Sequence, residues 1–456
     1  MAKKTISAPA PAPANRPPYM LIEEIRVQGY KSLVDATLHV RPLTLLTGTN
    51  SSGKSSIMQP LLLIKQTMEA PYQPAGALVL SGAHVQAETA AELVSKIGSN
   101  SESPFVLTSV GFNKMVNSNI PISIEFAYSK DGTNFRLISQ QTVSENDENY
   151  RVRIEPEFTE EDMPNILLAA INEYEGEPIK SLWTEYHNGF LELHYIGKDD
   201  KKRTTSSGAY LETSLASLMH IPGLRGAPQR SYAATFFKEQ IKGTFDLYAA
   251  GTVSQWQQQQ DTEKLAKLND YLRRLGLTDS VTAKVKNANE VELSVSRLPA
   301  GSKGKPRKAD MVNIADVGIG VSQVLPILVA LIAAQEGQIV YVEQPELHLH
   351  PRAQVAMAEL LAEAANRGVR VIVETHSSLL LLTVQTLIAQ DKIKNTDVAL
   401  HWFARDAKGA TTVDYVQPDE DGAYGEWPED FGDVELKAQD AYLTAVGMRH
   451  FGNAVK

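Results

Sequence analysis

Residues 48–55 read Gly-Thr-Asn-Ser-Ser-Gly-Lys-Ser, and this stretch gives the clearest indication of the fold. An apolar run at 43–47 precedes it, and the pattern that follows predicts a helix from Lys54 to about Met68. In the order strand, loop and helix, the pattern G-x-x-x-x-G-K-[ST] lets backbone N–H groups wrap phosphate oxygens beside the positive end of the helix dipole. The sequence therefore predicts a nucleotide-binding loop.

Two side chains of this loop have specific expected roles. Lys54 is expected to bridge phosphate oxygens, and Ser55 is expected to hold Mg²⁺. The remaining candidates for nucleotide contacts in and just after the loop are Asn50, Ser51, Ser52, Gly53 and Ser56.

A second group of polar residues follows apolar runs near residues 340 and 372. The run 339–342 ends at Glu343, which is the candidate metal-binding acid, and the run 371–373 ends before a polar segment containing His376. Between the loop and Glu343, residues 317–326 form a glycine-containing turn that feeds a helix and presents Ser322 to an anion. The carboxyl ends of parallel strands are where an open α/β sheet forms its ligand crevice, so these elements are expected to meet there.

Composition excludes several classes of function. The 456 residues include 54 acidic and 44 basic ones, a net charge of −10, which argues against a globally basic nucleic-acid coat protein but leaves a local basic groove open. The absence of cysteine rules out disulfides, thiolate metal sites and a cysteine nucleophile, and favours a cytoplasmic location. The apolar stretch 324–334 is too short to span a bilayer and contains Pro326, so no membrane role is expected.

Composition and the pattern of apolar residues divide the chain into five parts. Residues 1–18 form a Pro/Ala-rich arm expected to be disordered. Strands are expected at 21–27 and 38–46, and segments such as 121–128, 149–158 and 189–197 indicate antiparallel hairpins. A helix is expected over 261–277, and the α/β texture returns after Asp316, with strands at 338–342 and 369–373 and helices near 322–334 and from Pro351 to Gly368. The expected units are listed as 1–18 (arm), 19–111 (first half of the nucleotide-binding head), 112–310 (insertion), 311–400 (second half of the head) and 401–456 (extension).

The order of these motifs resembles the ATP-binding-cassette ATPases of the SMC and overcoming-lysogenisation-defect type, and more closely the small stand-alone AAA-family ATPases of bacterial defence and repair loci. The likeness covers about 21–70 and 311–380, and loosely the region of 427–428. The matching segments are 29–32 (the first strand turn), 48–55 (Walker A), 318–323 (a divergent signature), Glu343 (the Walker B acid), 346–351 (the D-loop region) and His376 (the switch histidine).

The resemblance implies an α/β fold, an ABC-type P-loop NTPase head with a mixed sheet, flanking helices and a large α+β insertion. It implies ATP and Mg²⁺ as cofactors and an ATP-sandwich dimer, with a higher oligomer left open. In that dimer, the turn of one subunit with Gly318, Gly320 and Ser322 would face the nucleotide of the other subunit. His376 would contact the terminal phosphate of the nucleotide or the attacking water. A glutamine-loop residue is also expected, for which Gln86 is only a weak candidate.

Gln344 departs from the family pattern, which commonly has a second carboxylate at that position. An amide orients water but does not take its proton, so hydrolysis is expected to be slow. Three interpretations stay open: a slow hydrolase whose base lies elsewhere, with Glu346 or His376 nearest; an ATP-gated clamp; or an engineered Glu→Gln trap. The sequence predicts that Gln344→Glu raises the rate of ATP hydrolysis.

Several residues admit a second interpretation. Glu346, His348 and His350 form an E-x-H-x-H string that could bind a metal, although hydrogen-bonded histidines without a metal are commoner. The basic runs at 201–203 and 303–308 could contact a phosphate backbone or form solvated turns. The segment 224–232, with two arginines and a tyrosine, could order the nucleotide lobe or line a binding surface.

Three functions follow as hypotheses. The first is an ATPase that controls a separate effector protein, for instance a nuclease, as the sensor of an anti-phage defence system. The D-x-D string after His376, Asp419-Glu420-Asp421, lies in an acidic segment that does not end an apolar strand, so nucleolytic activity would belong to that partner. The alternatives are a DNA-repair or DNA-clamp ATPase of SMC kinship, which would bind nucleic acid, and a non-hydrolysing ATP-dependent scaffold.

Overall fold

A computed structural model describes most of the chain between residues 21 and 425. The described residues are 21–71, 77–97, 105–113, 118–128, 132–144, 147–156, 178–187, 190–197, 199–205, 208–235, 240–297, 310–425, 440–446 and 449. The predicted arm at 1–18, the basic run at 303–308 and the region of 427–428 lie outside them.

Nineteen strands and seven α-helices are defined within these residues. The strands are β1 (Leu21–Tyr30), β2 (Leu33–His39), β3 (Leu43–Gly48), β4 (Phe105–Asn113), β5 (Ser118–Tyr128), β6 (Phe135–Ser144), β7 (Asp147–Ile154), β8 (Ser181–His187), β9 (Phe190–Ile196), β10 (Lys202–Thr205), β11 (Met219–Ile221), β12 (Tyr232–Ala233), β13 (Val281–Asn287), β14 (Glu290–Ser296), β15 (Met311–Asn313), β16 (Ile339–Glu343), β17 (Arg370–Glu374), β18 (Val398–Arg405) and β19 (Thr411–Val416). The helices are α1 (Lys54–Glu69), α2 (Ala209–Ser217), α3 (Ala249–Gln258), α4 (Thr262–Arg274), α5 (Ile319–Ala333), α6 (Pro351–Asn366) and α7 (Ser378–Ala389).

The central sheet has the strand order β11-β16-β17-β3-β18-β19. All neighbours are parallel except β19, which is an antiparallel edge strand. Side chains alternate between its two faces because successive residues of a strand point in opposite directions. On one face Leu45 and Val342 pack with α5, α6 and α7, and on the other face Leu46 and Tyr341 pack with α1 and the first sheet. The sheet is therefore covered on both faces, as parallel sheets usually are.

The first sheet is antiparallel, in the order β2-β1-β4-β5-β6-β7. The hairpins predicted in the middle of the chain are present, since β5 pairs with β6, β6 with β7 and β8 with β9. Because β4 pairs with both β1 and β5, the hairpins of β5, β6 and β7 extend the sheet that begins at residue 21, whereas β8, β9 and β10 form a separate three-stranded sheet.

The prediction of one strand over 38–46 is wrong. The structure divides this segment, ending β2 at His39 and beginning β3 at Leu43. Pro42 lies in the break, and proline has no N–H to give to a ladder, so it marks the point where the chain leaves one sheet for the other.

The predicted helices are present with small shifts of their ends. The helix α4 begins after Asp261, whose side chain accepts the Lys264 N–H at 3.1 Å, and it ends before Gly276, which has a φ of +69°. The helix α5 begins at Ile319, three residues before the predicted start. Among the described residues, no helix has the length and apolarity that crossing a bilayer requires.

Candidate functional site

The nucleotide-binding loop predicted from the sequence lies between the carboxyl end of β3 and the first turn of α1. The Lys54 amine donates to the carbonyls of Gly48 at 3.1 Å and Thr49 at 2.7 Å, so it lies inside the curve of the loop. Burial lowers the pKa of Lys54 from its ordinary value. The Ser52 hydroxyl is buried without a partner among the described residues, which fits a loop that offers donors to phosphate oxygens.

Residues from distant parts of the sequence hold the loop in shape. The Thr411 hydroxyl, on β19, donates to the Ser52 carbonyl at 2.7 Å and lies 2.8 Å from the Ser32 hydroxyl. Arg405 donates to the carbonyl of Ser51, a residue with a φ of +60°, at 2.9 Å. Thr411 and Arg405 were not predicted, because nothing in their local sequence indicates contact with a loop more than 350 residues away.

Glu374, at the end of β17, makes a direct contact with the loop that the sequence analysis missed. The Ser55 hydroxyl donates to Glu374 Oε2 at 2.7 Å, and the buried Tyr341 hydroxyl donates to the same oxygen at 3.2 Å. Burial, and after it the nearby Glu343 carboxylate, holds the pKa of Glu374 above its ordinary value, against the hydrogen bond from Ser55. The available signal was the position of Glu374 at the end of an apolar strand, the same signal that identified Glu343.

The Glu343 carboxylate is held by residues in and just after the neighbouring strand β11. The His220 imidazole Nε2 lies 3.1 Å from Glu343 Oε1, and the Gly223 N–H donates to Oε2 at 3.0 Å. Burial by itself would raise the pKa of Glu343, but the hydrogen bonds, chiefly that from His220, leave it below its ordinary value. His220 in turn lies 3.0 Å from His84, which contacts Glu69 on α1, so the candidate metal acid ends a buried chain of polar contacts.

Gln344 adopts a left-handed backbone conformation, with a φ of +46°. Its N–H donates to the Glu374 carbonyl at 2.7 Å, and its carbonyl accepts from the Arg225 guanidinium at 3.2 Å. Its side-chain oxygen lies beside Gly223, only 3.3 Å from the position that a Cβ on that glycine would occupy. The structure therefore places the Gln344 side chain next to the segment after β11, with the strands β16 and β17 between β11 and the loop strand β3.

Arg225 connects the Gln344 turn to α5. It is 8% exposed, and its Nε donates to the side chain of Gln323 on α5 at 3.4 Å, while Gln323 donates back to the Gly226 carbonyl at 2.9 Å. Burial lowers the pKa of Arg225, with the Asp246 carboxylate opposing that effect. These contacts are those expected if segment 224–232 orders the nucleotide lobe, and its second interpretation, as the lining of a binding surface, stays a prediction.

Glu346 and His376, which follow the carboxyl ends of β16 and β17, are in direct contact. Glu346 Oε1 accepts the backbone N–H of His376 at 2.7 Å, and burial raises the pKa of Glu346. Burial, and to a lesser degree Lys54, lowers the pKa of His376. His350 caps α6, its Nδ1 accepting the Arg352 N–H at 3.4 Å. No cluster of three or more histidine or acidic side chains suited to a metal occurs within the described part of the chain.

The glycine-containing turn of the predicted signature faces solvent. Gly318 is exposed, Gly320 borders the backbone of His348, and the Ser322 hydroxyl donates to the Ile319 carbonyl at 2.8 Å. Within the described residues, no hydrogen bond joins this turn to the loop of the same chain. Gln86 is exposed and pairs with Ser81 in a short bridge.

The basic run 201–203 is occupied by ion pairs. Lys201 and Arg203 both contact Asp199, and Lys202 contacts Glu185. These pairs favour the solvated-turn interpretation for this run, because each of its three cations already contacts a nearby carboxylate.

Together these contacts define the class of the protein. A parallel sheet carries a phosphate loop at one strand end and buried carboxylates at two others, with a lysine amine inside the loop, and this is the fold and site of a P-loop nucleoside triphosphatase. The donor set of Ser55, Glu343 and Glu374 consists of oxygen atoms, which fits Mg²⁺.

The chain belongs to the family described as "AAA domain, putative AbiEii toxin, Type IV TA system", whose model matches residues 43–382, more than half of the chain. Comparison with curated protein sequences finds no match.

Similar solved structures include head domains of SMC proteins. A crystal structure of the SmcHead bound to the C-winged helix domain of ScpA has 12% identity and a TM-score of 0.48, with 87% of this chain and 98% of that chain covered. The SMC head domain from Thermotoga maritima has 11% identity and a TM-score of 0.40, with 87% and 99% covered. A head domain with an extended coiled coil, bound to the C-terminal domain of ScpA derived from Pyrococcus furiosus, has 11% identity and a TM-score of 0.45, with 87% and 96% covered.

Proposed function

We propose that this protein is an ATPase of slow turnover whose ATP-bound form associates with a second copy and controls a separate effector protein. The observation that carries the proposal is the loop itself. Lys54 lies inside it and Ser55 is joined to an acid of the sheet, so binding groups for a nucleotide triphosphate are already in position.

The mechanism follows from where these groups lie. The loop N–H groups and Lys54 bind and orient the phosphates, and the dipole of α1 favours their negative charge. Ser55 and Glu343 would hold Mg²⁺, which supplies neutralisation of charge on the phosphates when it is bound. Gln344, an amide, directly follows Glu343 at a position where the family commonly has a carboxylate, so we expect proton transfer from the attacking water to be inefficient and hydrolysis to be slow.

The exposed turn at Gly318, Gly320 and Ser322 supports the association. The turn begins α5, no side chain caps the first turn of that helix, and Gly318 and Ile319 are exposed. A second copy could therefore bring its own nucleotide to this turn. The family description names a toxin of a type IV toxin–antitoxin system, which accords with a place in bacterial defence; we propose the role of an ATP-dependent sensor there.

The test compares wild-type protein with Lys54→Ala. We expect ATP binding, measured by calorimetry, to weaken about a hundredfold or more in the variant, because the loop loses its phosphate-bridging amine. We also expect ATP to shift wild-type protein toward a dimer in light scattering, and the variant to stay unshifted. Equal ATP affinity in both proteins contradicts the proposal.

Two further measurements separate the roles. Release of phosphate above background distinguishes a slow ATPase from a non-hydrolysing scaffold. Co-purification of products of neighbouring genes with wild-type protein, and their loss from Lys54→Ala, is expected for a protein that controls an effector.

A further inference from the structure

We propose that Glu374 is the second carboxylate of the magnesium–nucleotide site, supplied by the strand next to the one that carries Glu343. The inference rests on the proposed function and deepens it. It assigns to Glu374 the acid that is missing after Glu343, where Gln344 stands.

The first observation is the contact with Ser55. The serine of a phosphate loop is the residue that holds Mg²⁺, and here its hydroxyl lies 2.7 Å from Glu374 Oε2. The strand β17 lies directly between β16 and β3. Glu374, the last residue of β17, is therefore next to the strand end from which the loop begins. Glu374 is 5% exposed, which places its carboxylate inside the site rather than on its rim.

The second observation is that the two acids converge. Glu343 and Glu374 are register partners on adjacent parallel strands, whose backbones lie about 5 Å apart. The Tyr341 hydroxyl donates to Glu374 at 3.2 Å from inside the sheet. Two largely buried carboxylates repel each other, and a divalent cation between oxygen ligands removes that repulsion.

The third observation concerns Gln344. Its side chain lies beside Gly223, which follows β11, the edge strand on the far side of β16 from the loop. Glu343 contacts the same glycine, whereas Glu374 contacts Ser55. The contact with Ser55 is thus made by Glu374, and the expectation that Gln344→Glu raises the hydrolysis rate stays a prediction.

The experiment measures how nucleotide binding depends on Mg²⁺ in the full chain. Affinity for ATP is determined by calorimetry in EDTA and across a magnesium titration, for wild type, Glu374→Gln and Gln344→Glu. The Gln side chain keeps an oxygen that accepts the hydrogen bonds from Ser55 and Tyr341, so the exchange removes charge with little change in shape.

For Glu374→Gln we expect unchanged ATP affinity in EDTA and a rise of about tenfold or more in the Mg²⁺ concentration needed for half-maximal enhancement of binding. Its melting temperature in EDTA should equal or exceed that of wild type, because one of two repelling buried charges is gone. Its ATP hydrolysis should fall at least about tenfold. Gln344→Glu should leave the magnesium requirement within about threefold of wild type.

Two controls keep the result decisive. Glu363→Gln, on α6 and paired with Arg274, makes the same chemical exchange away from the loop and should leave the magnesium requirement unchanged. If Glu374→Gln does not fold, Glu374→Asp keeps the charge but shortens the reach, and should still raise the magnesium requirement.

A wild-type magnesium profile in Glu374→Gln overturns the inference. Failure of wild-type protein to bind ATP under any condition overturns the proposed function instead, so the two failures are distinguishable.

Discussion

The Glu343 carboxylate is fixed on both of its oxygens before any ligand arrives. His220 and the Gly223 N–H each hold one oxygen, and His220 stacks on the Tyr341 ring with 5.2 Å between ring centroids. Partners of this kind orient a metal-binding side chain and are worth about 10- to 100-fold in metal affinity. At the residue scale, the site therefore depends on a histidine that belongs to no recognised motif.

Replacing His220 with Phe tests that dependence. The ring still packs on Tyr341, but the contacts with Glu343 and His84 are lost. We expect a loss of about 1–3 kcal/mol in the free energy of unfolding, because buried polar groups lose their partner. We also expect the magnesium requirement for ATP binding to rise about tenfold.

The measurements are urea denaturation and a magnesium titration of ATP affinity. His84→Phe provides the control, since it removes the contacts of His84 with His220 and Glu69 but keeps the contact of His220 with Glu343. It should lower stability with a smaller change in the magnesium requirement. Equal magnesium requirements in wild type and His220→Phe would mean that His220 only packs the sheet.

At the scale of elements, the chain between β3 and α1 lies very close to the neighbouring strand β18 at Gly48. Gly48 has a φ of +135°, and a Cβ built on it would lie 2.0 Å from the carbonyl oxygen of Phe403 on the neighbouring strand β18. Both the backbone angle and the close approach of β18 therefore require glycine. The first glycine of the motif is needed for strand pairing as well as for phosphate binding.

Gly48→Ala should accordingly be among the more damaging substitutions in the protein. We expect a loss of about 3 kcal/mol or more in the free energy of unfolding, because β18 has to move away from β3. Gly276→Ala is the matched control: its φ is +69°, but no atom lies within 4 Å of the added Cβ, so a loss of about 1 kcal/mol is expected. Chemical denaturation of both variants gives the comparison, and similar losses would show that crowding by Phe403 is unimportant.

At the scale of the whole molecule, the first sheet and the central sheet are joined beside their edges. The His401 imidazole on β18 accepts the backbone N–H of His39 on β2 at 3.0 Å, and both rings lie against Tyr415 on β19. Burial, then the charges of His39 and Arg41, lowers the pKa of His401 to about 3. His401 is therefore neutral in the folded protein at any pH near 7.

This junction predicts a sensitivity to acid. Between the ordinary histidine pKa of about 6.5 and the folded value, the unfolded chain binds a proton at His401 that the folded protein does not. Stability should then decrease as the pH falls below about 6.5, by up to about 1.4 kcal/mol per pH unit from this group. In His401→Gln the new side-chain oxygen can accept the His39 N–H. The free energy of unfolding of this variant should therefore fall less per pH unit than that of wild type.

Denaturation curves at pH 7.5, 6.5, 5.5 and 5.0 measure the two slopes. Above about pH 7 the slopes should coincide, because His401 is neutral in both folded and unfolded chains there. Parallel curves between pH 6.5 and 5.0 would show that His401 is not the source of acid sensitivity.

The sequence alone determined the phosphate loop, Glu343, most of the helices and the alternation of hairpins in the middle of the chain. These features depend on local patterns: glycine spacing, apolar runs that end in a polar residue, and the period of a helix or strand. Pro42 shows the limit of that information, since an apolar segment was interpreted as one strand where the chain changes sheets.

Only the tertiary structure decided which residues surround the loop. Glu374, His220, Arg225 and Thr411 come from four separate segments, and their meeting is set by strand order, in which β17 lies between β16 and the loop strand β3. Strand order is determined by how whole faces of the sheet are buried, which no short window of residues contains. For the same reason, the contact between Ser55 and Glu374, at the end of the strand next to that of Glu343, is visible only in the folded chain.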